Sequence, residues 1–517
     1  MKNHDVQQHT ERRISAFLRL MLAAFLLLAQ IALVFGLSIL LEHRFAIVYT
    51  VLAMVALVAA IRINSRPGGS AYRTGWILLV VAVPVAGLIL YLLWSGEHQS
   101  KHLNLKRIPA PVESETRQEQ SRLNVEKLRR SYPHWGRLAS YLHRQGFPLY
   151  QHTNVDYLSS GESYLDDMLR HMEDAEHFIL MEYFIMATGA IWDRTVDVIS
   201  RKAAQGVEIK LIFDDFGSMM RIRREDVEQL RRMGVEVKVF NPVHHYVNRL
   251  YFNYRDHRKI TSIDGNVAYT GGVNIGDEYA NITHKFGHWK DCGVRLEGEG
   301  AWGLTRDFIH MWEDLGGHME REHDYYRPHG RYDTPGFCQS VSDGPNNNPS
   351  STVEDIYLDL ISGANRMVYV TTPYLAIDDA MIKALCLAGD SGVDVRLMLP
   401  GIPDKKYAYL VAECYYGELL SHGVRIFTYT PGFLHSKAIL ADREAVFVGS
   451  VNMDYRSFRL HFECGTLLFD HPVIENVLED MDEIIALSEE VTLETWHRRP
   501  WYRKAMSAFL RLFAIWM

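Results

Sequence analysis

One pattern constrains this chain more than any other, because it is written twice. Asp256-His257-Arg258-Lys259-Ile260-Thr261-Ser262-Ile263-Asp264 is followed by Gly271-Gly272-Val273-Asn274. Far downstream, Leu434-His435-Ser436-Lys437-Ala438-Ile439-Leu440-Ala441-Asp442 is followed by Gly449-Ser450-Val451-Asn452. In both copies a His, a Lys two residues on, an Asp five beyond the Lys, and a small-small-x-Asn cluster keep the same spacing. Chance rarely produces such a pair in one chain.

The apolar partners Ile260, Ile263, Ala438 and Leu440 fit strand-forming runs, and residues two apart on a strand point to one face. Each His therefore projects with its Lys. Asp264-Gly265 and Asp442-Arg443-Glu444 read as hairpin turns. Val267 to Thr270 and Ala445 to Val448 read as return strands that bring Gly271, Gly272 and Asn274, or Gly449, Ser450 and Asn452, back beside the His-Lys pair. Small residues let an anion approach the backbone, and Lys and Asn donate to phosphate oxygens. Two imidazoles, two ammonium groups and two amides make a phosphate cage, with Gly272, Ser450, Asn274 and Asn452 as its phosphate-binding residues.

This resembles the phospholipase D superfamily, whose HxKxxxxD signature occurs twice and whose halves share one active site. Together with the apolar N-terminal runs, it resembles more narrowly the bacterial cardiolipin synthases of the phospholipase D type. The resemblance implies His257, Lys259, Asp264, His435, Lys437 and Asp442 as catalytic residues, with His257 the nucleophile and His435 the acid/base. The symmetry of the motifs alone leaves that assignment open. The signature aspartates have a second reading, in which they brace the hairpins rather than touch substrate.

At 517 residues, the chain is expected to hold two or more units. With 63 acidic against 55 basic residues, nothing extended and basic is present to track a polyanion, so a nucleic-acid partner is not expected. Cys292, Cys338, Cys386, Cys414 and Cys464 form no CxxC pair and suggest neither a disulfide framework nor a zinc site. His244-His245 has no third ligand at metal spacing, and no Gly-rich nucleotide loop opens a helix, so neither metal nor cofactor is expected.

The first hundred residues differ in kind. Ile14 to Leu41, Phe45 to Ala60 and Trp76 to Trp94 are apolar runs, the last interrupted by Pro84 and Gly87. They predict three spans of a cell membrane, or two with one run re-entrant. Lys2, Arg12 and Arg13 before the first run, and Arg62, Arg66 and Arg73 after the second, favour a cytoplasmic N-terminus. Lys101, Lys106 and Arg107 pull the other way, and the side stays open.

The rest reads as an α/β repeat, helix to strand to helix to strand, once on each side of Val341 to Pro349. The reading predicts two phospholipase D-like lobes with mixed, mostly parallel sheets flanked by helices. The expected divisions are a membrane domain (1–100), a linker (101–146), a first lobe (147–343), a second lobe (344–495) and an amphipathic C-terminal helix (496–517). Trp496 to Met517 alternates aromatic and basic residues, which suits a bilayer surface or docking on the second lobe.

Some further residues carry expectations. Glu278 and Glu463 follow the two Asn residues and are candidates for orienting the histidines, since a carboxylate on one ring nitrogen fixes which nitrogen attacks. Asp291, in His288-Trp289-Lys290-Asp291, orients a site group or caps a helix. Glu182 lines the site or braces a cation. Arg456-Ser457 has no counterpart near Gly276-Asp277, so the half-sites are expected to differ. The resemblance implies phosphatidyl transfer between two phosphatidylglycerol molecules, with membrane and anionic phospholipids as partners. A hydrolase, another phosphatidyltransferase and a catalytically dead scaffold are the rival readings.

Overall fold

The structure is a computed structural model that describes residues 45–65, 70–94, 114–242, 254–345, 351–511 and 514. The first apolar run, residues 101–113 of the linker and His244-His245 lie outside them; the rest of the linker forms the helices Glu115–Ser131 and Pro133–Arg144. The chain forms two compact units, one N-terminal and one that holds both lobes.

In the N-terminal unit the second apolar run is the helix Phe45–Asn64. The third is two helices, Ser70–Ala82 and Pro84–Trp94, because Pro84 has no N–H to give and its ring crowds the preceding turn. Among the described residues no helix is long and apolar enough to cross a membrane.

The other unit is built on two sheets. The strands of the first are β1 (Thr153–Leu158), β2 (Phe178–Tyr183), β3 (Glu208–Asp214), β4 (Glu236–Phe240), β6 (Lys259–Ile263), β7 (Val267–Gly271) and β9 (Gly293–Gly298); β5 (Arg255–Asp256) and β8 (His288–Lys290) stand apart. The first sheet runs β1-β9-β7-β6-β2-β3-β4. The remaining strands are β10 (Phe337–Asp343), β11 (Met367–Thr371), β12 (Leu375–Ala376), β13 (Asp394–Pro400), β14 (Arg425–Tyr429), β15 (Gly432–Leu434), β16 (Ala438–Ala441), β17 (Ala445–Gly449), β18 (Met453–Asp454), β19 (His461–Phe469) and β20 (Ser488–Val491). The second sheet runs β10-β19-β17-β16-β11-β13-β14-β20. It repeats the first strand for strand and adds β20.

The sheets are mixed but not mostly parallel. The first has four antiparallel and two parallel pairings. The second has five antiparallel and two parallel. The helix-linked strands β2, β3 and β4 pair in parallel, as crossovers require, whereas each motif strand doubles back through a tight hairpin and reverses the rest of its sheet. Strand β10, on the first-lobe side of the expected division, pairs with β19 in the second sheet.

β2 is buried along its whole length, as a central strand covered on both faces must be. The β6–β7 turn has φ of 50° at Asp264 and 66° at Gly265, the two-residue turn whose twist matches a hairpin. Its sister puts Asp442 and Arg443 at 55° and 61°, with no glycine to relieve it.

Two short pairings stitch the lobes together. β5 of the first lobe runs parallel to the start of β19, matching Arg255 to His461 and Asp256 to Phe462. β15 of the second runs parallel to β8, matching Gly432 to His288 and Leu434 to Lys290. Each exchanged strand ends at a motif histidine.

Candidate active site

His257 follows β5, and its backbone N–H donates to the Phe462 carbonyl at 2.9 Å. His435 follows β15, and its N–H donates to the Lys290 carbonyl at 2.6 Å. Each imidazole is therefore held by the opposite lobe, and the same holds for the rings. His257 Nδ1 lies 3.0 Å from both carboxylate oxygens of Glu463, and His435 Nδ1 lies 2.6 Å from Asp291 Oδ2. A carboxylate accepts a hydrogen bond from the nitrogen it faces, so both rings keep Nδ1–H and leave the Nε2 lone pair for chemistry.

Lys259 and Lys437 are fully buried, and each ammonium donates to the carbonyl of the histidine two residues before it. Burial drives both ammonium groups down to about 8, against the pull of Glu463 on Lys259 and of Asp291 on Lys437. His435 is pushed down to about 4 by burial and then by Lys437, with Asp291 opposing. His257 is pushed well below the usual imidazole range, first by burial and then by Lys259 and Lys437. The site is thus two neutral imidazoles, each on a carboxylate, beside two buried cations.

Three of the expected phosphate contacts are otherwise engaged. The Asn274 carbonyl accepts from the Ile185 N–H at 2.9 Å, and its amide donates to Tyr279 Oη at 2.8 Å. Ser450 Oγ donates to Glu463 and accepts from the Cys464 N–H at 3.0 Å, so it braces the carboxylate. Gly272 supplies space: a Cβ there would stand 2.0 Å from Asp291 Oδ1 and 3.1 Å from the His435 carbonyl. Asn452 is buried with its side-chain oxygen unpartnered among the described residues, and its backbone N–H donates to Ser457 Oγ at 3.1 Å.

Asp264 and Asp442 are not at the chemistry. Asp264 accepts from the N–H groups of Glu176, His177 and Phe178, each at 2.8 Å. Asp442 accepts from those of Asn365, Arg366 and Met367 at 2.7 to 3.0 Å. Five residues past the Lys lies beyond the strand, in the turn, where a carboxylate ties down the start of the neighbouring strand.

Of the two orienting candidates, Glu463 reaches His257, whereas Glu278 pairs with Arg221 and leaves His435 to Asp291. A repeat in the sequence marks the true pair: Asp291-Cys292-Gly293 and Glu463-Cys464-Gly465. Gly293 pairs with Gly271 and Gly465 with Gly449, so the two carboxylates are structural equivalents. Glu182 braces Arg258 at 2.5 Å, with Asp256 on the guanidinium's other side at 3.3 Å.

Ser457 Oγ donates to Glu463 Oε1 at 2.7 Å, a further contact that one half-site has alone. Sequence reasoning missed His461, whose ring lies 5.3 Å from that of His257. His257, His461 and Glu463 carry ligand atoms within 4.8 Å of one another, a set that can hold a metal ion. The buried cations Lys259 and Lys437 oppose a dication there.

The family described as "Cardiolipin synthase, PLD-like domain" matches residues 168–286 and 357–485, once per lobe, and a "Phospholipase_D-nuclease N-terminal" family matches 51–96. A Streptococcus mutans protein named only as uncharacterized is 35% identical over 444 residues, 85% of this chain and 95% of its own. Cardiolipin synthase 2 of Bacillus anthracis is 31% identical over 439 residues, 84% of this chain and 85% of its own. Among solved structures, a phosphatidylserine synthase of Haemophilus influenzae superposes with a TM-score of 0.54. It is 14% identical and covers 71% of this chain and 94% of its own, a likeness of fold.

Proposed function

This chain belongs to the cardiolipin synthase family with phospholipase D-like domains, and from that premise we propose that it joins two phosphatidylglycerol molecules into cardiolipin, releasing glycerol. His257 Nε2 attacks the phosphorus of the first lipid, a P–N bond forms, and the P–O bond to glycerol breaks as His435 gives the leaving oxygen a proton. The terminal hydroxyl of the second lipid then passes its proton to His435 and its oxygen displaces His257. Covalent catalysis divides one hard displacement into two, and one imidazole serves as acid and then base.

His435 is neutral in the open site. A bound phosphodiester adds negative charge beside it and raises the ring's proton affinity, so substrate charge arms the acid. Lys259, Lys437 and Asn452 are the groups left to hold nonbridging oxygens as charge develops. The observation that carries this reading is the crossed grip: each imidazole is held at Nδ1 by a carboxylate of the other lobe, which supports a single shared site.

A lipid hydroxyl as acceptor distinguishes this reading from hydrolysis. The test is purified enzyme in phosphatidylglycerol vesicles, with lipids read by mass spectrometry beside a glycerol assay. Cardiolipin and glycerol in about equal amounts, with reversal on added glycerol, is the expected result. Phosphatidic acid as the main product makes the protein a hydrolase, and phosphatidylserine formed only with added serine makes it a different transferase.

A further inference from the structure

The C-terminal helix Trp501–Arg511 has two faces that the chemistry above does not use. Its inner face is pinned to the helix Lys406–Ser421. Arg503 donates two hydrogen bonds to the Glu413 carboxylate, at 2.8 and 3.0 Å, and Arg499 pairs with the same group at 3.0 Å. Ser507 is buried one turn on, and the Arg511 guanidinium lies 4.9 Å from the Tyr415 ring centre.

The outer face is apolar and open. Tyr502, Met506 and Phe509, spaced by four and three residues along one line of the helix, are 63%, 50% and 57% exposed, and Trp501 beside them is 80% exposed. Docking thus leaves large hydrophobic side chains uncovered on the far side. From Trp496 to Met517 the chain carries five Arg and Lys and no Asp or Glu, although the whole protein is net acidic. An apolar stripe in a segment that carries five cations and no acid of its own matches an anionic bilayer surface, where aromatic rings sit at headgroup depth and cations meet lipid phosphate.

The docking helix connects this face to the site. Lys405, immediately before it, donates to Tyr374 Oη at 2.7 Å, and its charge bears on His257. The Tyr374 ring lies 6.4 Å from Phe433, which lies 5.7 Å from His435. The Arg503 guanidinium lies 5.7 Å from the Tyr409 ring. Tyr374, Lys405 and Tyr409 line one depression.

We propose that Trp501–Arg511 is an interfacial helix that inserts Trp501, Tyr502, Met506 and Phe509 into an anionic bilayer and, through Glu413, holds the Lys405–Tyr409 edge of the site against the lipid. The inference is independent of the acceptor: it holds for a transferase or a hydrolase, provided that the substrate lies in a membrane.

The test uses the full chain in proteoliposomes and compares W501E/M506E/F509E with the parent on two substrates: long-chain phosphatidylglycerol in vesicles and a short-chain analogue kept monomeric. The expected result is a tenfold or greater loss on vesicles, with the rate on the monomeric analogue within twofold. A fluorophore on M506C should be quenched by brominated acyl chains. Equal losses on both substrates, which a merely damaged fold produces, overturn the proposal. So do an unquenched M506C label and a triple variant that changes the oligomer measured by light scattering, which assigns the face to a second copy.

Discussion

The ring of His257 lies 5.3 Å from His461 and 5.0 Å from Phe184, whereas that of His435 lies 5.2 Å from Trp289 and 5.6 Å from Tyr279. Trp289 and His461 are equivalents, each two residues before the orienting carboxylate. The carboxylates differ more. Glu463 is shared among His257, Ser450 and Ser457, while Asp291 accepts from the Cys292 N–H at 2.9 Å and otherwise concentrates on His435 at 2.6 Å. A carboxylate already satisfied by two hydroxyls supports less positive charge on its imidazole, which suits a ring that must be neutral when it attacks. One that leans on a single imidazole suits a ring that must take up and release a proton. The comparison favours His257 as nucleophile and His435 as acid/base, on grounds that the symmetric motifs do not contain.

The largest effects should come from the rings themselves. His257→Ala and His435→Ala are each expected to lower turnover by roughly 10⁴-fold or more, because residues acting as a unit fail together. Intact-protein mass spectrometry separates them. With a substrate whose leaving group needs no proton, the His435 variant should accumulate a phosphatidyl adduct and the His257 variant none. An adduct on the His257 variant reverses the assignment.

Next come the carboxylates, expected to be unequal. Asp291→Asn removes the main counter-charge of the ring that must become cationic, and roughly a 10²- to 10⁴-fold loss is expected, the span of general acid–base catalysis. Glu463→Gln still accepts a hydrogen bond from the Nδ1–H of a ring that attacks as the neutral form, and a loss of about tenfold is expected. Equal losses in steady-state turnover remove the basis for telling the half-sites apart.

The lysines are the feature the half-sites share. Their ammonium groups are held down to about 8 by burial, so the charge that meets phosphate is lost as pH rises through about 8, not near the usual lysine value. The kcat/KM, which reports the free enzyme, is expected to fall by about tenfold for each unit above that point if one ammonium is essential, and more steeply if both are. A flat rate from pH 8 to 10 contradicts both the depressed lysines and their role.

What the sequence disclosed depended on the length over which each signal runs. The motif hairpins were legible because alternation and turn residues extend over some fifteen positions. The exchanged strands β5, β8 and β15 are two or three residues long, too short for any period, yet they aim both histidines. The parallel pairing of the crossovers was legible from helix–strand alternation, but the antiparallel majority was not, since it follows from what each motif strand does after its turn. Glu278 follows Asn274 across a loop whose length nothing fixes, so spacing from the Asn does not locate the orienting acid. Counting back from Gly293 and Gly465, which lie in register on their sheets, leads to Asp291 and Glu463.

The smallest effect tests whether the half-sites differ in chemistry or only in packing. Both His461 ring nitrogens and the Trp289 indole N–H lack hydrogen-bond partners among the described residues, and the nearby Glu463 oxygen is 3.6 Å from His461 Nδ1, beyond hydrogen-bond reach. His461 is also held down to about 3 by burial, so it stays neutral and contributes no charge. What the two positions have in common is a flat ring against the catalytic imidazole. His461→Phe keeps that ring and should cost less than about threefold. His461→Ala opens a gap beside His257, lets the nucleophile leave its attack geometry, and should cost roughly tenfold, since small misplacements at a reacting atom are costly. Both rates are read in the same vesicle assay, with thermal unfolding measured alongside to exclude loss of fold. If Phe is as damaging as Ala, the nitrogens of His461 act on the lipid, and the half-site of the nucleophile has a third functional imidazole that its sister lacks.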